Sequence, residues 1–146
     1  MKKLIVEKSC NLSSGKIKIL SDFILFCIEN LKLSGNVIVE IVGNRDMHDI
    51  TTTAFYRIPD NLIKVYGKDR ALVDICRSVA HELTHMMQNE NNMLNGEIQD
   101  IGGSIEDEAN SKAGSLIKLY AHSSKDARRI YESFKIKKRT ILCHSS

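Results

Sequence analysis

Two histidines with a glutamate between them form the most informative pattern in the sequence. His81 and His85 lie four positions apart in His-Glu-Leu-Thr-His, a spacing that puts both imidazoles on one face of a helix. From there both rings can reach a single metal ion at about 2.0 to 2.1 Å. Glu82 projects beside that face, where its carboxylate can take a proton from a metal-bound water instead of binding the ion. The pattern predicts a hydrolytic metal centre with Glu82 as the general base.

A catalytic zinc site needs three protein ligands and one open position, so a third ligand must come from elsewhere in the chain. One common pattern would place Gly and His at positions 88 and 91, but the sequence has Gln88 and Asn91 there. A carboxylate is then the remaining common choice of ligand. The segment Ile-Glu-Asp-Glu-Ala-Asn at residues 105–110 supplies both Glu106 and Glu108, after a connection that contains glycine.

The two motifs together, at residues 81–85 and 106–110, resemble those of the gluzincin metallopeptidases, among them the small minigluzincins. In that family the third ligand opens the second motif. The resemblance therefore implies a zinc ion held by His81, His85 and Glu106. It also implies a zincin-like fold and the hydrolysis of peptide bonds.

In the same family pattern, an acidic residue four positions after the third ligand hydrogen-bonds a ligating histidine. Mapped onto this chain, that orienting residue is Asn110, which can still accept a hydrogen bond but carries no charge. The resemblance thus implies weaker metal binding than an aspartate would give. Glu106 is favoured as the ligand because it shares a helix face with Asn110, and Glu108 remains an open alternative.

Two helices must carry these motifs, and the sequence predicts both. Residues 69–91 place apolar side chains on one stripe, namely Leu72, Ile75, Val79, Leu83 and Met86. A further helix is predicted at residues 105–122, with Ser104 as its N-cap. The first would carry the two histidines and the second the carboxylate ligand.

The preceding half of the chain predicts a small sheet. An opening strand, an amphipathic helix at residues 16–33 and a β-branched strand at 37–42 form a β-α-β pattern. Residues 51–58 and 61–66 flank Pro-Asp and predict a hairpin. We therefore expect an α+β, zincin-like domain over residues 1–140: a small twisted β-sheet, a backing helix, an active-site helix and a third-ligand helix. A short helix at 124–135 and a tail at 141–146 complete the prediction.

Length and composition predict one soluble, cytoplasmic domain. The chain has 146 residues, enough for a single hydrophobic core, and its longest apolar run, at 23–28, is too short to span a membrane. The apolar stretch at the N-terminus ends at Glu7, which is too early for a secretory signal. The four cysteines are scattered and predict neither a zinc knuckle nor a disulfide framework.

The charge of the chain argues against nucleic acid as a partner. The net charge is only +3, although residues 125–139 contain seven basic side chains against two acidic ones. That segment has few aromatic residues, so a platform for stacking single-stranded bases is weakly supported. We interpret it as a solvated face and tail.

The function predicted from the sequence is that of a zinc metallopeptidase acting on a peptide or protein. The substrate would add as a strand to a sheet edge, beside residues 51–58 or 61–66. Two alternatives remain open: an inactive zincin-fold module whose basic C-terminal segment binds an acidic partner, and a hydrolase acting on another substrate class. For the residue that stabilises the oxyanion, Tyr56, Tyr66 and Tyr131 stay open. The sequence does not predict an oligomeric state.

Overall fold

Four strands and three α-helices make up the part of the chain that the computed structural model describes, residues 1–48, 50, 53–94 and 103–131. In chain order these elements are β1 (Lys2–Val6), α1 (Ser14–Asn30), β2 (Val37–Val42), β3 (Ala54–Arg57), β4 (Leu62–Tyr66), α2 (Leu72–Glu90) and α3 (Ser104–Ser123). Short 3-10 turns lie at Lys8–Cys10, Asp46–His48, Ile58–Asp60 and Ala127–Tyr131. The α+β class predicted from the sequence is confirmed.

The strands form one mixed sheet in the order β1-β2-β4-β3. The first three are parallel, and β3 pairs antiparallel with β4 at the edge. The predicted β-α-β unit and the predicted hairpin are both confirmed. The suggestion that residues 61–66 could form a substrate-binding edge is wrong, because β4 has a strand on each side. Of the two proposed edges, only that of β3 has no further strand beside it among the described residues.

The core lies between the sheet and the helices. Alternate residues of β2 point into it, and α1 and α2 cover that face of the sheet. Fully buried apolar side chains come from all of these elements: Leu20, Phe23, Ile41, Ile63 and Leu83. Each contributes about 1.5 to 3 kcal/mol by leaving water. α2 is central, since it contacts α1, β3 and β4 and carries α3 on its remaining side.

Backbone geometry sets the ends of α1 and α2. The Ser13 side chain accepts a hydrogen bond from the Lys16 amide at 3.2 Å and caps α1, two residues earlier than predicted. α2 was expected from residue 69, but Asp69 has a left-handed φ of 57° and the helix begins at Leu72. It ends at Glu90, with Asn91 as its C-cap.

The third helix begins one residue earlier than expected. Ser104 is its first residue and Gly103 is the N-cap, so the prediction of Ser104 as the cap is wrong. The helix predicted at 124–135 is a 3-10 turn at Ala127–Tyr131 over its described part. Residues 132–146, including the tail and most of the basic segment, lie outside the described residues. No helix in the described part combines the length and the apolar character needed to cross a membrane.

Candidate metal centre

The pairing of α2 and α3 brings three of the predicted site residues together. On α2 the rings of His81 and His85 are 4.7 Å apart and nearly perpendicular, and their Nε2 atoms are 3.2 Å apart. In the first turn of α3, Glu106 places one carboxylate oxygen 3.1 Å from His81 Nε2 and the other 2.8 Å from His85 Nε2. Both histidines thus present the same ring nitrogen to one carboxylate.

These three side chains fit a divalent cation. Their ligand atoms lie within 4.8 Å of one another, which makes them the one group of this kind among the described residues. A tetrahedral ion with ligands at about 2.0 to 2.2 Å needs its ligand atoms about 3.3 to 3.5 Å apart, and the two histidine Nε2 atoms, at 3.2 Å, are close to that separation. Two imidazoles and a carboxylate suit zinc and several other divalent transition metals.

The protonation states also fit metal binding. Burial, and then the neighbouring His85, lower the pKa of His81, which favours the neutral imidazole that a metal requires. Asn110 lies one helical turn after Glu106 on α3 and hydrogen-bonds His81. The structure therefore places Asn110 beside a histidine of the cluster, which is the position that the family resemblance implies for it.

Gln88 is a site residue that sequence analysis missed. It is fully buried, and its Oε1 lies 2.8 Å from His85 Nδ1. Since an amide oxygen can only accept, Nδ1 of His85 is the donor in this contact, and Nε2, which faces Glu106, is the ring nitrogen that could bind a metal. The spacing of three residues between His85 and Gln88 puts them on one helix face and could have indicated this contact.

Glu108 has a different place from Glu106. Gln88 Nε2 donates to Glu108 Oε1 at 2.8 Å and to the Ile105 carbonyl at 3.0 Å. The amide of Gln88 thereby joins His85 to the start of α3. Glu108 fixes this amide, whereas Glu106 is the carboxylate that reaches both histidines.

Glu82 lies beside the cluster and is 8% exposed. Burial, with a smaller contribution from the charge of Glu106, raises the pKa of Glu82 to about 8. A nearby divalent cation would oppose this shift by favouring the carboxylate. None of the described residues hydrogen-bonds to the Glu82 side chain, so its oxygens are free to bind water or substrate.

A cavity of about 380 Å³ opens onto this cluster. His81, Glu82 and Asn110 line it, together with Thr53 and Ala54 at the start of the edge strand β3. The free edge of the sheet therefore borders the same cavity as the general base predicted from the sequence. No tyrosine is among the described residues that line it, and the Tyr56 hydroxyl instead contacts Asn61 at 3.1 Å.

Comparison of the chain with known proteins finds no matching family model, no similar curated protein and no similar solved structure.

Proposed function

We propose that this chain is a zinc-dependent metallopeptidase of the gluzincin type with a zincin-like fold. The observation that carries the proposal is the convergence of His81, His85 and Glu106 on one point, beside a cavity that His81 and Glu82 line. Three protein ligands with an open fourth position are typical of catalytic zinc, whereas structural zinc has four. A purely structural metal would have no use for a glutamate at position 82.

The protein's own contacts would hold the zinc ligands in place. Gln88 would keep a proton of His85 on Nδ1, so that Nε2 of His85 stays directed at the ion, and Asn110 would be a hydrogen-bond partner of His81. A zinc ion bound there would lower the pKa of a water molecule in its open position to about 7 and would polarise the scissile carbonyl group.

Glu82 would move the protons of the reaction. Its carboxylate has no partner among the described residues and lies in the wall of the cavity next to His81. It would accept a proton from the attacking water and deliver that proton to the nitrogen of the leaving amine. Glu82 alone could make both proton transfers, because the attacking water and the leaving nitrogen would lie in the same cavity.

The edge strand β3 would bind the substrate backbone. The Tyr66 amide donates to the Thr53 carbonyl at 2.8 Å, which fixes the alternation of the antiparallel ladder. The backbone groups of Ala54 and Tyr56 then point away from β4 toward the free edge. An extended peptide pairing with them would pass the cavity, and backbone pairing requires no particular sequence.

Replacement of Glu82 by Gln tests the proposal. Wild-type protein loaded with zinc should cleave an unstructured protein such as casein, with fragments identified by mass spectrometry. Glu82→Gln should lower kcat by about 10² to 10⁴ because the general base is lost. Its zinc content, measured by elemental analysis, should stay at that of the wild type, since Glu82 is not a ligand.

The matched control is Glu29→Gln, the same chemical change at an exposed position of α1, which should leave activity unchanged. A wild type that binds zinc but cleaves nothing would contradict the proposal and favour the inactive binding module. Cleavage of esters without cleavage of any peptide would assign the centre to another substrate class.

A further inference from the structure

Two arginines line the cavity at the candidate metal centre. Beyond His81 and Glu82, the wall contains Arg70, Arg77, Asp74 and Ser78. These residues lie before the histidine motif, on the first turns of α2 and just ahead of it. Neither arginine contributes to the metal cluster, and the proposed chemistry does not use them.

The two arginines differ in their partners. Arg77 donates to the Asp74 carboxylate at 3.1 Å, and both side chains are about half exposed, so this pair is close to neutral as a unit. Arg70 has no carboxylate within ion-pair distance among the described residues. The Asp74 carboxylate attracts the Arg70 guanidinium from beyond ion-pair distance, while its direct partner is Arg77.

Neutral oxygen atoms hold the Arg70 guanidinium in place. It donates to the Tyr66 carbonyl at 2.7 Å, the Asp74 carbonyl at 3.1 Å and the Ser78 hydroxyl at 2.9 Å. An arginine has five N–H groups, so these contacts leave donors for a ligand. Burial lowers the pKa of Arg70, but a guanidinium still keeps its charge at any physiological pH.

We infer that Arg70 is a specificity residue that binds a carboxylate of the peptide substrate, an inference that rests on the proposed function. The Nε–H and the second Nη1–H of this fixed guanidinium remain to donate charge-assisted hydrogen bonds to a carboxylate. The partly desolvated setting strengthens that contact relative to water. The carboxylate can belong to an Asp or Glu side chain or to the C-terminus of the peptide.

The helix geometry gives the distance between this contact and the bond that is cleaved. Ser78, which holds the guanidinium, precedes Glu82 by four residues, about 6 Å along α2. An extended peptide advances about 3.3 Å per residue, so the carboxylate should lie about two residues from the scissile bond. Thr53 and Ala54 of the substrate-binding edge line the same cavity, so one peptide can reach both.

Peptide pairs test the inference without depending on hydrolysis. The probes are acetylated, amidated, alanine-rich peptides in which one Glu is moved along the chain, each matched by a Gln version. A further pair compares a free C-terminal carboxylate with an amide. Affinity for the zinc-loaded Glu82→Gln protein is measured by fluorescence anisotropy, and the bond that the wild type cleaves is mapped by mass spectrometry.

We expect the carboxylate member of at least one pair to bind about tenfold tighter, and cleavage to fall within about two residues of its charge. A preference in a Glu/Gln pair would show that Arg70 binds a side-chain carboxylate. A preference in the other pair would show that it binds the C-terminal carboxylate. In Arg70→Gln the preference should fall below about twofold, because the neutral amide cannot form the charged contact. Arg77→Gln is the matched control and should keep the preference, since Arg77 is exposed and paired with Asp74.

Equal affinity of all pairs would overturn the inference. So would a preference that survives Arg70→Gln, since zinc itself would then bind the carboxylate. Should Arg70→Gln unfold, as circular dichroism would show, Arg70→Lys keeps the charge and should retain part of the preference. A preference that depends on Arg70, in a wild type that cleaves no peptide, would support the inference while contradicting the proposed peptidase.

Discussion

Glu106 and Glu108 are two residues apart on α3 and have different partners. Glu106 faces both histidine Nε2 atoms, whereas Glu108 accepts from the Gln88 amide. We expect Glu106→Ala to lose most of the bound zinc, because only two ligands would remain. Glu108→Ala should retain the metal at near-stoichiometric content, with at most weaker affinity. Elemental analysis after gel filtration measures both.

The reverse result, with zinc lost from Glu108→Ala and kept by Glu106→Ala, would assign the ligand to Glu108. Asp107→Asn serves as the control on the same helix turn, since Asp107 is exposed and belongs to no described cluster.

Gln88 should affect metal affinity through His85 without touching the ion. Replacement by Met keeps a similar volume in this fully buried position but removes the acceptor for His85 Nδ1. Loss of such an outer contact typically lowers metal affinity about 10- to 100-fold. Competition with a fluorescent zinc chelator measures the change. Gln88→Glu is the comparison variant: like Gln88→Met it loses the amide donor, but it keeps an oxygen that can accept a hydrogen bond from His85 Nδ1.

An unchanged zinc affinity in Gln88→Met would show that the contact does not position His85. A parallel thermal melt is needed, since the substitution also leaves Glu108 without its donor.

For single residues, the sequence predicts those features of the site that depend only on spacing along one helix. His81, Glu82 and His85 stand out because their spacing alone sets their common face. The contact between Gln88 and Glu108 depends on how closely α3 approaches α2, a tertiary distance that no local spacing encodes. For the same reason, the sequence favours Glu106 as the ligand but leaves Glu108 open, whereas the pairing of the helices gives the two glutamates different partners.

Among the elements, β3 carries the proposed substrate contact, and a single proline can test it. The Ala54 amide points to the free edge, so Ala54→Pro removes a donor without breaking a bond to β4. Loss of one backbone hydrogen bond to the substrate should raise KM about three- to tenfold. Zinc content and kcat should stay near the wild-type values. Steady-state kinetics with a fluorogenic peptide measures both constants.

Ala54→Val is the matched control, because it keeps the amide and suits a strand. A KM equal to that of the wild type in Ala54→Pro would move the substrate away from this edge.

The elements themselves were predictable, but their ends and their neighbours were less so. The sequence pattern predicted every described α-helix and strand. It did not predict the left-handed backbone of Asp69, because apolar spacing carries no information on a single residue's φ. The order β1-β2-β4-β3 inserts β4 between two strands, which a hairpin pattern alone cannot reveal. The two strands of a hairpin look equivalent in sequence. Because β4 pairs with β2, β3 is the strand that lies at the edge.

On the scale of the whole molecule, the candidate site connects helices that come from separate parts of the chain. α2 is embedded in the core through Leu83 and Met86, while α3 packs on α2 and buries Ala109, Ala113 and Ile117. The histidines are thus fixed by the core, and the carboxylate depends on the docking of α3. A metal ion bound by both helices would favour the docked arrangement.

Zinc should therefore stabilise the fold, and its removal should lower the Tm. A ligand present at 100 times its Kd adds about 2.7 kcal/mol to the free energy of unfolding. For a domain of this size that corresponds to a Tm higher by about 8 to 10 °C. Calorimetry of the zinc-loaded protein, and of the same protein after treatment with EDTA, measures the shift.

The control for this stabilisation is Glu106→Ala, in which zinc should change the Tm by less than about a third as much, because the ligand from α3 is missing. Hydrogen exchange would locate the effect: amides of α3 should exchange faster without zinc, whereas buried amides of α1 and of β2 should change little. An equal Tm with and without zinc in the wild type would mean that the three side chains do not share an ion in the folded protein. Stabilisation of Glu106→Ala equal to that of the wild type would place the ion on the α2 histidines alone, and the coupling between α2 and α3 would then have to come from their packing.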